Sequence, residues 1–103
     1  NHYVVEGTTF ELKSATGKVI KAFTQNDQEL KNLINKKGYI YTAGERLDNI
    51  ASVAVPIFNN KENFTGTLSI SGWRQFFTNK SVAKFYKILS GYQNQMKRLV
   101  SNE

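Results

Sequence analysis

The sequence predicts an α+β domain in which helices pack on an antiparallel sheet, and three observations support this. Two apolar runs, residues 50–58 and 64–72, alternate with period two and are separated by five polar residues, as in an antiparallel hairpin. Three further segments repeat apolar residues at helical spacing. The chain has 103 residues, which is enough for one small domain. We therefore expect residues 1–103 to form a single domain.

The N-terminal part of the chain is expected to form a strand and a short helix. Residues 1–10 contain two strand-like stretches separated by Gly7. Ser14 is a suitable N-cap for a helix over residues 15–23. Gly17 lies inside this helix, where glycine costs about 1 kcal/mol relative to alanine, which indicates that a backbone or a ligand packs close to it. The free N–H groups at the helix start suit an anion.

The middle of the chain is expected to form a second helix, a short strand and a loop. Residues 26–29 have the Asn-x-x-Glu spacing of a capping box, and a helix is expected from there to Lys37, with Gly38 as its stop. The predicted inward positions of this helix are Leu30, Leu33 and Ile34. A strand over residues 39–42 and a polar loop over 43–49 then lead into the hairpin.

The two faces of the predicted hairpin differ in chemistry. The apolar face carries Ala51, Val53, Val55 and Ile57 on the first run and Phe64, Gly66, Leu68 and Ile70 on the second. The other face carries small or hydroxyl-bearing residues, namely Ser52, Ala54, Thr65, Thr67, Ser69 and Ser71. Such side chains leave room and offer hydrogen bonds, which suits a pocket for a small carboxylate or hydroxy acid. The alternative is the solvent-exposed face of an antiparallel sheet. Pro56 is expected near a strand end or a bulge.

A long helix is expected at the C-terminal end, over residues 80–100 with Thr78 or Asn79 as its cap. Its apolar residues recur at helical spacing and are Val82, Phe85, Tyr86, Leu89, Tyr92, Met96 and Leu99. This stripe is more typical of core or dimer packing than of a cofactor site. Gly91 interrupts the helix and is expected to mark a close crossing.

The sequence contains no arrangement of residues that predicts catalysis. Without cysteine, the chain has no disulfide, thiolate metal site or cysteine nucleophile. The only histidine, His2, is poorly placed at the terminus for a general base. There is no P-loop and no dinucleotide-binding glycine motif. We therefore expect neither an enzyme nor a cofactor or metal site.

Charge and hydropathy bear on the possible partners. The net charge of +6 admits nucleic acid as a direct partner. The basic residues are scattered, however, and the aromatic residues are expected in the core, unlike those of single-strand binders. No apolar run approaches the roughly 18 residues of a membrane span, and no signal-peptide pattern opens the chain. We expect no membrane partner and a cytoplasmic location, which the lack of cysteine also fits.

Three blocks of sequence, taken in order, resemble a known family. The first is SATGK at 14–18, followed by Ala-Phe at 22–23. The second begins with Lys-Gly-Tyr at 37–39 and ends with Gly-Glu at 44–45. The third is the hairpin at 50–72, with VPIF and GTLSISG. Together they resemble the effector-binding domain of IclR-type bacterial transcriptional regulators, and the resemblance covers nearly the whole chain.

The resemblance implies a GAF-like or profilin-like fold that binds a small metabolite, with the hydroxyl-bearing face as the pocket. By position in the family pattern, Ser69 and Ser71 would donate to a carboxylate and Ser52 would line the pocket. Glu45 would lie in the loop over it. The start of the first helix would contribute backbone N–H groups, which are those of Ala15, Thr16 and Gly17.

The resemblance also implies partners. The family binds DNA as a dimer through a separate winged helix-turn-helix domain, and the effector domain helps to form tetramers. That DNA-binding domain and the first half of the effector domain are not recognisable here, and the chain begins without Met. We therefore expect a partial effector-binding domain whose partners are a small-molecule effector and copies of itself, as a dimer or tetramer. DNA would be bound only through a domain missing from this chain.

Two alternatives to an effector sensor remain open from the sequence. One is a structural or dimerisation module that does not bind a ligand. The other is a direct nucleic-acid binder, which is suggested only by the net charge.

Overall fold

A computed structural model of the chain describes residues 14–45 and 47–101. The described elements are α1 (Ala15–Thr24), α2 (Gln28–Lys37), β1 (Ile40–Ala43), β2 (Ile50–Phe58), β3 (Phe64–Trp73), a 3₁₀ turn (Arg74–Phe76) and α3 (Asn79–Ser101). The α+β class and the order of helices and hairpin agree with the prediction. The predicted first strand and His2 lie outside the described residues.

The described strands form an antiparallel sheet in the order β1-β2-β3. In β1, Ile40 pairs with Ala54 and Ala43 pairs with Ala51. The strand therefore begins and ends one residue later than the predicted 39–42. The short β1 covers only the first half of β2, whereas β3 follows β2 over its whole length.

Helices cover both faces of this sheet, and each face has its own apolar cluster. On the α1 face, α1 and α2 pack on Ile40 and Ala54, and the buried cluster comprises Ala15, Val19, Ala22, Ile34, Ile40 and Ala54. On the α3 face, α3 packs on alternate residues of β2, and the buried cluster comprises Ala51, Val53, Val55, Phe77, Val82 and Leu89. Burial from both sides makes β2 almost continuously apolar, since a strand covered on both faces has no polar side.

A bulge near the hairpin turn changes the face of one residue. Ile57 pairs with Gly66 but Phe58 pairs with Phe64, which leaves Thr65 without a partner in the register. Phe64 consequently turns to the α1 face, where its ring stacks on Phe23 at 5.3 Å between centroids. The prediction that Phe64 shares a face with Leu68 and Ile70 is therefore wrong, because strict alternation does not survive a bulge.

The helix caps follow the chemistry expected of capping residues, with one change of position. Asp27, and not the predicted Asn26, caps α2, because its Oδ1 accepts from the Leu30 N–H at 3.1 Å. Thr78 caps α3, with its Oγ1 accepting from the Ser81 N–H at 3.2 Å. Ser81 Oγ accepts in return from the Thr78 N–H at 2.8 Å. This reciprocal pair resembles a capping box with serine as the returning residue.

Two glycines differ in what surrounds them. Gly38 ends α2 in the left-handed region, with φ 91°, and a Cβ there would overlap the ring of Tyr86. A Cβ on Gly91 would meet no atom within 4 Å. The expectation that Gly91 marks a close crossing is therefore wrong. Leu33, predicted to face inward, is 39% exposed.

Pro56 is fully buried within β2, one residue before the irregularity at Ile57 and Phe58. The β1 ladder stops at Ala54, so among the described strands the stretch around Pro56 has a partner on the β3 side only. A residue without an N–H is tolerated there because no β1 carbonyl requires a donor. The Pro56 carbonyl accepts from the side-chain amide of Gln93 on α3.

Candidate functional site

The candidate site is built on three hydroxyl-bearing residues that lie in one row across the sheet. Thr42 of β1 pairs with Ser52 of β2, and Ser52 pairs with Ser71 of β3. Directly opposed residues share a face, so the three side chains lie together on the α1 face. Ser52 Oγ and Ser71 Oγ are 2.6 Å apart and share a hydrogen bond. We call Thr42, Ser52 and Ser71 the hydroxyl row.

The row is graded in accessibility from one edge of the sheet to the other. Thr42 is only 7% exposed, Ser52 is half-buried and Ser71 is exposed. α1 packs on the part of this face that carries Ile40 and Ala54, whereas Ser69 and Ser71 of β3 are exposed. A ligand that reached the hydroxyls would approach from the β3 side.

The start of α1 lies at the same end of the sheet as the hydroxyl row. Lys18 in the first turn of α1 has its Nζ 3.9 Å from Glu45 Oε1, just beyond the end of β1. At the opposite end of α1, the ring of Phe23 is 5.0 Å from that of Phe58, at the end of β2. The N-terminus of α1, with the positive end of its dipole, therefore lies at the end of the sheet that carries the row.

The helix start offers fewer donors than the sequence suggested. The Gly17 N–H donates to the Ser14 side chain at 3.0 Å, and the Lys18 N–H donates to the Ser14 carbonyl at 2.8 Å. Ala15 and Thr16 precede the first intrahelical donor, and their N–H groups are the ones that a capped helix start leaves to a ligand or to water. Ala15 and Gly17 are buried, so this turn packs close to the sheet.

Of the residues predicted for the site, Ser52 and Ser71 are brought into direct contact, and Glu45 lies in the loop beyond β1 next to Lys18. Ser69 lies on the same face, opposite Ala54, but it is exposed and one pair further along the sheet. Ala15, Thr16 and Gly17 form the first turn of α1.

Sequence reasoning missed Thr42, which completes the row. The alternation of Ile40, Tyr41 and Thr42 would place Thr42 with Ile40 on one face. Only the register of β1 against β2 shows that this face is the one carrying Ser52. The alternation in residues 40–42 was therefore visible in the sequence, but the register that places Thr42 beside Ser52 was not.

The described residues include no group of three or more His, Cys, Asp or Glu side chains that could hold a metal ion. No helix in the described part of the chain is long and apolar enough to span a bilayer. The site therefore offers hydroxyl and backbone donors and one nearby ammonium group. These groups can bind a small anion, since each can donate a hydrogen bond to it.

The fold is similar to the folds of several bacterial transcriptional regulators of known structure. The structure is similar to that of IclR from Thermotoga maritima, with a TM-score of 0.76 and 24% identity over 88% of this chain and 47% of that one. It is also similar to a putative IclR-family regulator from Rhodococcus, with a TM-score of 0.78 and 14% identity over 95% of this chain and 46% of that one. The C-terminal domain of the E. coli regulator KdgR gives a TM-score of 0.73 and 16% identity, over 87% and 70% of the two chains.

The chain belongs to the IclR family. Residues 3–98 match the family model of the bacterial transcriptional regulator IclR C-terminal domain. The chain spans about half the length of the first two of these solved structures. No match was found among curated protein sequences. The family is one of transcriptional regulators and not of enzymes, and its C-terminal domain is the part present here.

Proposed function

We propose that this domain senses a small carboxylate effector and contributes to the self-association of a transcriptional regulator. Residues 1–103 would form part of an effector-binding domain, and a separate winged helix-turn-helix domain would bind DNA in the cytoplasm. The single observation that carries the sensing role is the hydroxyl row beneath the start of α1. Membership of the IclR family also supports a ligand-binding role for this domain.

The chemistry of the row fits a carboxylate better than a neutral ligand. Ser71 and Ser52 already share one hydrogen bond at 2.6 Å, so one of the two hydroxyl protons is left for another acceptor. A carboxylate oxygen at that position would accept from the serine and from the first N–H groups of α1. Hydrogen bonds to a charged acceptor are roughly twice as strong as neutral ones. Ser69, on the same face, would extend the contact for a longer ligand.

Lys18 and Glu45 place one positive and one negative charge near the site. Their separation of 3.9 Å is long for a charged hydrogen bond, and both side chains are substantially exposed. A carboxylate bound at the start of α1 would attract Lys18 and repel Glu45. The loop after β1 would therefore respond to the ligand, which is what a sensor requires.

A thermal-shift screen with small carboxylates, hydroxy acids and sugar acids tests the sensing role. A ligand at 100 times its dissociation constant stabilises a domain by about 2.7 kcal/mol, which amounts to several degrees at this size. We expect the shift to be lost in Ser71→Leu, which fills the open side of the row. The matched control is Ser90→Leu, a half-buried serine on α3 across the sheet. A well-folded chain without any shift would favour a dimerisation module that has no ligand.

Replacing Glu45 should strengthen binding of an anionic ligand. Glu45→Gln keeps the size of the side chain but releases Lys18 and removes a repelling charge. Because both groups are partly exposed, the gain in affinity should be no more than about fivefold. Titration calorimetry with the ligand from the screen measures it, with Glu29→Gln, an exposed residue of α2, as control. Equal affinities in the Glu45 variant and the unmodified domain would place the anion elsewhere.

The outer side of α3 is the surface we propose for self-association. Ile88, Tyr92 and Leu99 recur on one side of the helix and are exposed, with Tyr92 at 56% and Leu99 at 62%. A second copy would cover these side chains and the outer edge of β1, which pairs with no second strand within residues 14–45 and 47–101. α3 carries five basic residues and no acidic one, namely Lys80, Lys84, Lys87, Lys97 and Arg98.

This charge makes a sharp test of self-association through α3. Two copies meeting along α3 would bring like charges together, so added salt should strengthen the association by screening their repulsion. Tyr92→Glu should weaken it, whereas Asn94→Glu adds the same charge away from the apolar side. Sedimentation velocity at several protein concentrations measures both effects. A monomer at every concentration would contradict the proposal.

Direct binding of nucleic acid is the second candidate function. The observation that favours it is that α3 carries five basic residues and no acidic one. Such binding would weaken steeply with added salt, because each neutralised phosphate releases counterions. Anisotropy of labelled duplex and single-stranded DNA across a salt series distinguishes it from self-association, which has the opposite salt dependence.

A further inference from the structure

A cavity of about 200 Å³ opens on the α3 face beside β1, away from the hydroxyl row. It lies where three elements meet, namely the last turns of α2, the start of β1 and the start of α3. Phe77 and Val82 are buried, Leu33 and Tyr41 are partly exposed, and all four line the cavity together with Tyr39.

The cavity and the hydroxyl row lie on opposite faces of the same short strand. Tyr41 pairs with Val53, whose side chain belongs to the cluster under α3. Thr42, the next residue, pairs with Ser52 on the α1 face. Successive residues of a strand point to opposite sides, so the two sites do not share side chains.

The walls of the cavity suit a flat ring. The rings of Tyr41 and Phe77 have centroids 6.4 Å apart and are tilted by 31°. Tyr41 is 40% exposed although its ring is large and apolar. A cavity of about 150 Å³ is enough to hold benzene, so one of this size can take a six-membered ring with a small substituent. The ring would cover apolar surface that water now contacts.

The charge at the opening suits an anion. Leu33 and Lys37 are one helical turn apart, and both line the cavity. Lys37 forms no ion pair within residues 14–45 and 47–101. Asn79, which also lines the cavity, adds an amide donor, and the lining residues in the described part of the chain include no acidic one. Among these described residues, a ligand carboxylate would therefore meet a cation and an amide and no acidic side chain.

We propose that this cavity is a second ligand site, for a small aromatic carboxylate. The ring would lie against Tyr41 and Phe77, and the carboxylate would face Lys37 and Asn79. Binding here is independent of the hydroxyl row and adds a second input to the domain.

Sodium benzoate and neutral benzamide are the probes that test the site, at constant ionic strength, with methyl-labelled protein followed by NMR. Benzoate should shift the methyl signals of Leu33 and Val82 saturably and leave that of Ala15, beside the hydroxyl row, unchanged. Benzamide should bind more weakly. Lys37→Gln should weaken benzoate binding by about three- to fivefold and remove the preference over benzamide, as expected for an exposed ion pair.

Lys36→Gln is the matched control, because it removes the same charge from the neighbouring residue, which does not line the cavity. Ser71→Leu should leave benzoate binding intact even where it abolishes binding at the hydroxyl row. The proposal is overturned if no saturable shift occurs, if Ala15 shifts in place of Leu33 and Val82, or if the two lysine variants behave alike.

Discussion

The end of α2 offers the sharpest test of how this fold is held together. Gly38 has φ 91°, and a Cβ added there would overlap Tyr86 Oη and lie 2.5 Å from Tyr86 Cζ. The Tyr86 ring is itself packed on Tyr39, with centroids 4.9 Å apart. Gly38→Ala should therefore both strain the backbone and displace a packed ring.

The cost can be assembled from these two effects. An alanine in the left-handed region costs about 1–2 kcal/mol, and loss of an aromatic pair costs about 0.5–1.5 kcal/mol. The stiffer unfolded chain returns about 0.4–1 kcal/mol. The net expectation is a loss of about 2 kcal/mol in the free energy of unfolding, a large share of the stability of a domain this small.

Urea denaturation followed by circular dichroism measures this loss, and Gly91→Ala is the matched control. A Cβ at Gly91 meets nothing within 4 Å, and the residue lies inside α3, so alanine should stabilise by about 0.5–1 kcal/mol. The same chemical change should thus have opposite signs at the two glycines. If Gly38→Ala changed stability by less than about 0.5 kcal/mol, neither the left-handed cap nor the Tyr86 contact would have the role assigned to it.

Three further outcomes are expected from the same unfolding measurements. Asp27→Ala should cost about 1 kcal/mol because it removes the cap of α2, whereas Gln28→Ala, an exposed neighbour, should cost only a few tenths; equal costs would contradict the assignment of the cap. Lys97→Gln breaks an exposed ion pair with Glu62 at 2.8 Å and should cost less than about 1 kcal/mol, with the difference shrinking in high salt. Phe64→Ala should cost about 2–3 kcal/mol, below the range for a fully buried ring; a surface-like cost would show that the bulge does not turn this ring onto Phe23.

The elements of this fold could be predicted because each has a local signal. Alternation identified the hairpin, Ser14 identified the start of α1, and Gly38 identified the end of α2. These signals depend on neighbouring residues alone, through side-chain periodicity and the chemistry of caps. The family resemblance rested on the same blocks of sequence.

The features that could not be predicted depend on the register between strands and on the space left between packed elements. The bulge at Thr65 moved Phe64 to the other face of the sheet. A period-two pattern gives no indication that a strand contains one extra residue. Thr42 joined the site only through its register with Ser52. The cavity beside Tyr41 arises from three elements distant in sequence, so no single segment carries a signal for it.

The position of Pro56 has a consequence for the unfolded chain. Burial from both sides has given β2 a nine-residue stretch, Ile50–Phe58, without a single charge. Such a stretch is prone to form intermolecular β-structure while it is exposed during synthesis or unfolding, and proline resists this because it cannot donate to a growing ladder. Because the native sheet has no β1 partner at this point, the residue that protects the nascent chain from aggregation costs the folded domain no strand hydrogen bond on that side.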